Sequence, residues 1–209
     1  MDINTLLKEA KQAGKTALNE SESKQLLKAF GIPVVSETVV FNKDDALSAS
    51  REIGFPVVLK GLGSTFLHKT EQGMVHLNIT DSKAAAEAVA SIARVAGDQL
   101  EGFLVQPYIK GNREFAAGIF KDQQFGPVIM FGIGGTFTEA LADVTFRLAP
   151  ITETDAAEML NEIRAKALLA NFRGQSAADR KLLIRTLMGL SRIAVEHPEI
   201  GRASCRERV

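Results

Sequence analysis

The segment Gly63-Ser64-Thr65-Phe66-Leu67-His68-Lys69-Thr70-Glu71-Gln72-Gly73 has no helix or strand period and carries a histidine among polar neighbours. A long polar loop inside a compact lobe is often functional. Imidazole can act as a nucleophile near neutral pH, where a substantial neutral fraction exists. Lys69 could offset phosphate charge and Glu71 could orient the ring; the plain alternative is a surface histidine. Just upstream, Lys60 ends the apolar run Val57-Val58-Leu59. A lysine there can place its ammonium as a point charge for phosphate, or simply end a strand in solvent. His76, within a strand, and His197, beside Pro198 at a helix end, read as structural.

Further along, Gln106-Pro107-Tyr108 closes a strand where two lobes should meet, and backbone groups there could pair with the edge of adenine. Arg113-Glu114 puts a charged pair at a strand start, facing either a cleft or solvent. The run Phe125–Gly135 joins a buried strand to the glycine loop Gly132-Ile133-Gly134-Gly135, which can bring backbone N–H groups close to phosphate. It lacks the dinucleotide fingerprint, and no helix follows at once. Glu139, Asp143 and Arg147 stand four apart. Two carboxylates and a guanidinium suit magnesium and phosphate oxygens; a helical face with ordinary ion pairs is the competing reading. Gly14-Lys15-Thr16 resembles the end of a P-loop, but Glu9 stands where that motif needs glycine. It reads as a polar helix end.

These residues need elements to hold them. Helices are expected at 4–13, 20–30, 44–53, 81–96, 154–170 and 177–196, the last capped by Ser176. Asn19 and Glu22 have capping-box spacing, and Gly31 suits a helix C-terminus ahead of Pro33. Asp81 caps the long alanine-rich helix. Strands are expected at 34–41, 57–60, 75–79, 103–108, 114–120, 127–131 and 145–149, with a hairpin turn at 121–124. The first half alternates strand and helix; the second has antiparallel strands and then helices. The pattern is α+β (α/β), two lobes with a cleft between them.

Bulk properties are consistent with this. The chain has 209 residues, 45% of them hydrophobic, with 25 basic and 25 acidic side chains. Zero formal charge gives no support for a nucleic-acid partner. No run of about 18 apolar residues predicts a membrane span, and the first residues lack the apolar core of a signal peptide. Cys205, the single cysteine, excludes an internal disulfide. A cytoplasmic location is expected.

The order of the segments is more specific than any one of them. Asn19 to Pro33 (NESESKQLLKAFGIP), Phe55-Pro-Val-Val-Leu-Lys60, Leu67-His-Lys69, Arg113-Glu114, and Phe125–Gly135 with Glu139 and Phe146-Arg147 together resemble the ATP-grasp domain of NDP-forming acyl-CoA synthetases. The likeness covers about residues 5–200. It implies interconversion of acyl-CoA, ADP and phosphate with free acid, CoA and ATP, using Mg2+. It implies a partner, a CoA-binding α subunit that makes acyl phosphate and carries the phosphoryl group on its own histidine. His68 would accept that group and deliver it to ADP. Lys60 would match the phosphate-binding lysine and Gln106, Pro107 and Tyr108 the adenine hinge. Glu114, Gly134, Gly135 and Arg147 would line the nucleotide cleft, with Glu139 and Asp143 as magnesium ligands. Two other readings remain: a succinyl-CoA synthetase β-like subunit, and the regulatory ATP-grasp-like module of a protein lysine acetyltransferase.

On this resemblance residues 1–18 form an N-terminal helical arm, and 19–108 a first lobe with the phosphohistidine loop at 61–74. Residues 109–200 form a second lobe. Met1 just ahead of the first helix suggests a separate β subunit. Residues 201–209 (GRASCRERV) break the pattern: the family continues with an Asp-Ile-Asn-Pro-like strand that supplies magnesium ligands. The tail resembles a translated sequencing adapter and is expected to be non-native, with the closing strand missing and the natural sequence stopping near Glu199 or Ile200. The chain as it stands is then expected to bind nucleotide poorly or to be inactive.

Overall fold

A computed structural model describes residues 2–63, 73–111, 113–135, 142–172 and 174–208, with only the backbone described for 204–208. His68 and Glu139 lie outside the described residues. The chain divides into two compact units, residues 1–26 with 34–109, and residues 27–33 with 110–209.

The first unit opens with α1 (Ile3–Gln12) and the start of α2 (Glu20–Ala29). The expected capping box is present: Glu22 N–H donates to Asn19 Oδ1 at 3.0 Å and Asn19 N–H to Glu22 Oε2 at 2.9 Å. Reciprocal caps satisfy amides that have no partner inside the helix. The helix ends as its glycine predicts: Gly31 sits at φ +74° and Ile32 N–H returns to Leu27 O.

Four strands follow: β1 (Thr38–Val40), β2 (Val57–Leu62), β3 (Val75–Ile79) and β4 (Gly102–Pro107). They form an antiparallel sheet in the order β1-β4-β2-β3. Between them lie α3 (Lys43–Ile53) and α4 (Ser82–Ala96), the latter capped by Asp81 as expected. Val57, Leu59, Phe103 and Val105 share a core with Ala46, Ala49, Ala85, Ala88, Val89 and Ile92. The helices present mainly small side chains to this sheet face. Strand side chains alternate between faces, so Val58, Lys60 and Gln106 belong to the opposite one. The expected strand 34–41 shrinks to three residues, because only Thr38–Val40 pairs with β4.

In the second unit β5 (Glu114–Asp122), β6 (Gly126–Ile133), β7 (Val144–Leu148) and β8 (Arg202–Arg208) form a sheet in the order β7-β6-β5-β8. Phe115 and Phe131 stack with centroids 5.8 Å apart. Asp122 Oδ1 accepts from Gln124 and Phe125 N–H and closes the β5–β6 turn. α5 (Glu153–Glu162) and α6 (Arg180–Glu196) complete the unit. The helix expected at 154–170 is broken at Ile163, and a 3-10 segment, Arg164–Leu169, follows. α6 starts three residues later than expected and is capped by Asp179 rather than Ser176.

The expectation of a missing closing strand is overturned. Arg202 pairs with Phe120 and Arg208 with Glu114, in continuous antiparallel register along β5. The free edge of β5 offers a row of backbone donors and acceptors, and a neighbouring segment can pair with them without an apolar pattern of its own.

Candidate functional site

In the first unit Lys60 and Gln106 are joined through helix α2. Glu20, in its first turn, places Oε1 2.5 Å from Lys60 Nζ and 3.5 Å from Lys24 Nζ. Lys24 in turn donates to Gln106 Oε1 at 2.8 Å and to the Glu37 carboxylate. The capping box holds the turn that carries Glu20, and the β2–β4 ladder sets Val58 opposite Gln106. The ion-paired side chains are each about a fifth exposed or less, except Glu20 at 23%. Water therefore screens these charges only in part. A Lys60 ammonium bound to one carboxylate oxygen keeps two N–H donors for phosphate oxygens. Tyr108 N–H donates to Pro56 O at 3.0 Å, so this one hinge amide is already used. Sequence reasoning missed Glu20, Lys24 and Glu37; the i, i+4 spacing of Glu20 and Lys24 was the available signal.

In the second unit the structure brings Glu114, Gly134 and Gly135 together. Gly134 N–H donates to Glu114 O at 2.7 Å, and a Cβ at Gly135 would lie 3.1 Å from Glu114 Oε2. Gly135 also has φ +79°, a conformation glycine adopts without steric cost. A Cβ at Gly132 would lie 2.4 Å from Asp143 O. Close strand approach thus accounts for part of the glycine pattern.

One expectation changes here. Asp143 is 8% exposed, and its two oxygens each accept a backbone N–H at 2.8 Å, from Arg164 and Ala165. It caps the 3-10 segment and breaks the expected helix, so it is not a free magnesium ligand. Arg147 stands on β7, within the strand expected at 145–149, and forms a two-pronged pair with Glu162. That hydrogen bond raises the guanidinium above its ordinary pKa and lowers Glu162 below the usual carboxylate range. Arg113 is 7% exposed and donates to the carbonyls of Leu168, Ala170 and Ser176.

The other motifs have structural roles. Lys15 of the false P-loop pairs with Glu22 at 2.8 Å, which raises its pKa. His197 lies edge-on to Phe30, and its Nδ1 is 3.2 Å from Glu199. Among the described residues no group of three or more His, Cys, Asp or Glu side chains could hold a metal ion. No described helix is long and apolar enough to cross a membrane.

Comparisons with known proteins agree with this architecture. A family model described as an ATP-grasp domain matches residues 9–205, reaching into β8. The β subunit of acetate–CoA ligase (ADP-forming) II from Pyrococcus furiosus is 41% identical over 193 residues, covering 90% of this chain and 82% of that one. The structure of dinucleotide-forming acetyl-coenzyme A synthetase 1 from Ca. Korarchaeum cryptofilum, with coenzyme A, Ca-AMPCP and HgCl+, superposes with a TM-score of 0.92 at 36% identity. It covers 97% of this chain and 91% of that one. The selenomethionine derivative of the same synthetase, with coenzyme A and Mg-AMPPCP, has its phosphohistidine segment pointing towards the nucleotide binding site. It superposes with a TM-score of 0.84 at 36% identity, over 97% and 90% of the two chains. With the family model matching residues 9–205 and the fold agreeing along almost the whole length, this chain belongs to the ATP-grasp family.

Proposed function

We propose that the chain is the nucleotide-binding β subunit of an ADP-forming acid–CoA ligase, working with a CoA-binding α partner in the cytoplasm. The observation that carries this reading is the likeness over 97% of the chain to a synthetase whose phosphohistidine segment points towards its nucleotide site. Identity of 41% to a ligase β subunit, over 82% of its length, favours this over the acetyltransferase module or a succinyl-CoA synthetase β-like subunit.

The reaction joins acyl-CoA, ADP and phosphate to give acid, CoA and ATP. A ring nitrogen of His68 attacks the phosphorus carried by the partner; the P–N bond forms as the bond to the donor breaks. An oxygen of the ADP β-phosphate then attacks, the P–N bond breaks, and ATP forms. Such transfers depend on alignment and charge neutralisation more than on many covalent helpers. Lys60 supplies a fixed positive charge for the nucleotide phosphates, and the Gln106–Tyr108 hinge of the same unit lines the nucleotide. Magnesium bound with the nucleotide would neutralise phosphate charge.

The test is labelling with γ-phosphate-labelled ATP in the presence of the α partner. Acid-labile label should appear on this chain and vanish in His68→Ala. Unchanged labelling of that variant would reject the relay.

A further inference from the structure

Lys60 is not held by the strand alone. Its flexible four-carbon stem would sample many positions, yet its ammonium is fixed by a carboxylate forty residues earlier in the chain, 2.5 Å away. That carboxylate is itself fixed: the same Glu20 oxygen also faces Lys24 at 3.5 Å, and Lys24 is anchored by Glu37 and Gln106. The reciprocal Asn19–Glu22 cap sets the backbone of the turn from which Glu20 projects. The result is a chain of polar contacts from Lys60 on β2, through two residues of α2, to Gln106 at the end of β4.

We propose that Glu20 is a positioning residue for nucleotide binding: it holds the Lys60 ammonium in place before the phosphates arrive, and through Lys24 it ties that ammonium to the Gln106 hinge. The proposal rests on the reading of Lys60 as the phosphate-binding lysine. Glu20 need not touch the nucleotide. A lysine held in advance loses less freedom on binding, and one carboxylate contact leaves two of its N–H donors for phosphate oxygens. Lys60 and Lys24 are each paired with a carboxylate, of Glu20 and Glu37, so both ammonium groups are held by side chains of the same unit.

The experiment is a titration of the full chain with Mg-ADP, for the wild type, Glu20→Ala, Glu20→Gln, Lys60→Ala and the double variant Glu20→Ala/Lys60→Ala. Glu20→Ala should weaken binding about tenfold, and Glu20→Gln, which keeps the shape and an acceptor oxygen, should recover part of that. In the Lys60→Ala background, removing Glu20 should cost no further affinity, because its effect runs through Lys60. Additive losses, as a general packing defect would give, overturn the proposal. So does binding by Glu20→Ala that equals or exceeds the wild type while Lys60→Ala binds weakly. If Lys60→Ala itself binds as the wild type does, the reading of Lys60 falls, and this proposal with it. Should Glu20→Ala fold poorly, the Glu20→Gln and Glu20→Gln/Lys60→Ala pair gives the same cycle.

Discussion

The two units treat their buried and half-buried charges in different ways. In the first, Lys60, Lys24, Glu20 and Glu37 hold one another, side chain to side chain. In the second, Asp143 is bound by two backbone N–H groups and Arg113 by three backbone carbonyls. A contact between mobile side chains can be shared with an incoming ligand at modest cost. A charge that satisfies the backbone cannot be recruited without disturbing the segment it holds. Charged residues of similar prominence in the sequence therefore divide into a set suited to binding and a set that builds the fold.

The strongest way to break this contrast is Arg113→Ala. It leaves the carbonyls of Leu168, Ala170 and Ser176 without their donor. Leu168 is half-buried and Ala170 and Ser176 are exposed, so water takes the donor's place in part, and each lost hydrogen bond to the guanidinium costs about 1 kcal/mol. The expected loss is about 3 kcal/mol, a large share of a typical domain's stability. The urea midpoint should fall clearly with the slope unchanged. A loss below about 1 kcal/mol would show that the 168–176 segment stands without its arginine, and the contrast between the units would fail.

Lys60→Ala sharpens the same contrast from the other side. The pair with Glu20 is partly exposed, so removing it should cost stability only about 1 kcal/mol or less, a shift of a few degrees in Tm. Binding of Mg-ADP should weaken about tenfold in the same variant. If unfolding shifts as much as for Arg113→Ala, Lys60 belongs with the fold-building charges instead.

Local signals were legible before the structure, and long-range ones were not. The Asn19–Glu22 box, the Asp81 cap and the Gly31 terminator each involve neighbours in sequence, and each is found as read. Lys60 was legible because a charge ends an apolar run. Its partner Glu20 lies forty residues away, and nothing in periodicity joins the two. Asp143 looked like a ligand because its partners, Arg164 and Ala165, are more than twenty residues on and are backbone groups without a sequence signature. β8 was missed for a related reason: its pairing is set by the open edge of β5 rather than by its own residues.

The smallest effect expected comes from a short-range cap in the second unit, where a carboxylate serves the backbone as Asp143 does, but at the surface. Thr152 and Asp155 form a capping box at the start of α5: Asp155 Oδ2 accepts from the Thr152 hydroxyl and N–H at 2.7 Å each. These hydrogen bonds, the hydroxyl first, lower the Asp155 pKa below its ordinary value. A carboxyl whose folded pKa is depressed contributes stability that is present above its unfolded pKa, near 3.9. That contribution is lost as pH falls through the lower, folded value. Asp155→Asn should therefore narrow the gap in Tm between pH 7 and about pH 2.5, by lowering the value at pH 7 and leaving the acid value nearly unchanged. The shift should be smaller than that of Lys60→Ala, because water screens an exposed cap. An equal drop at both pH values would mean that the residue acts by shape alone, and that its charge adds nothing to the helix start.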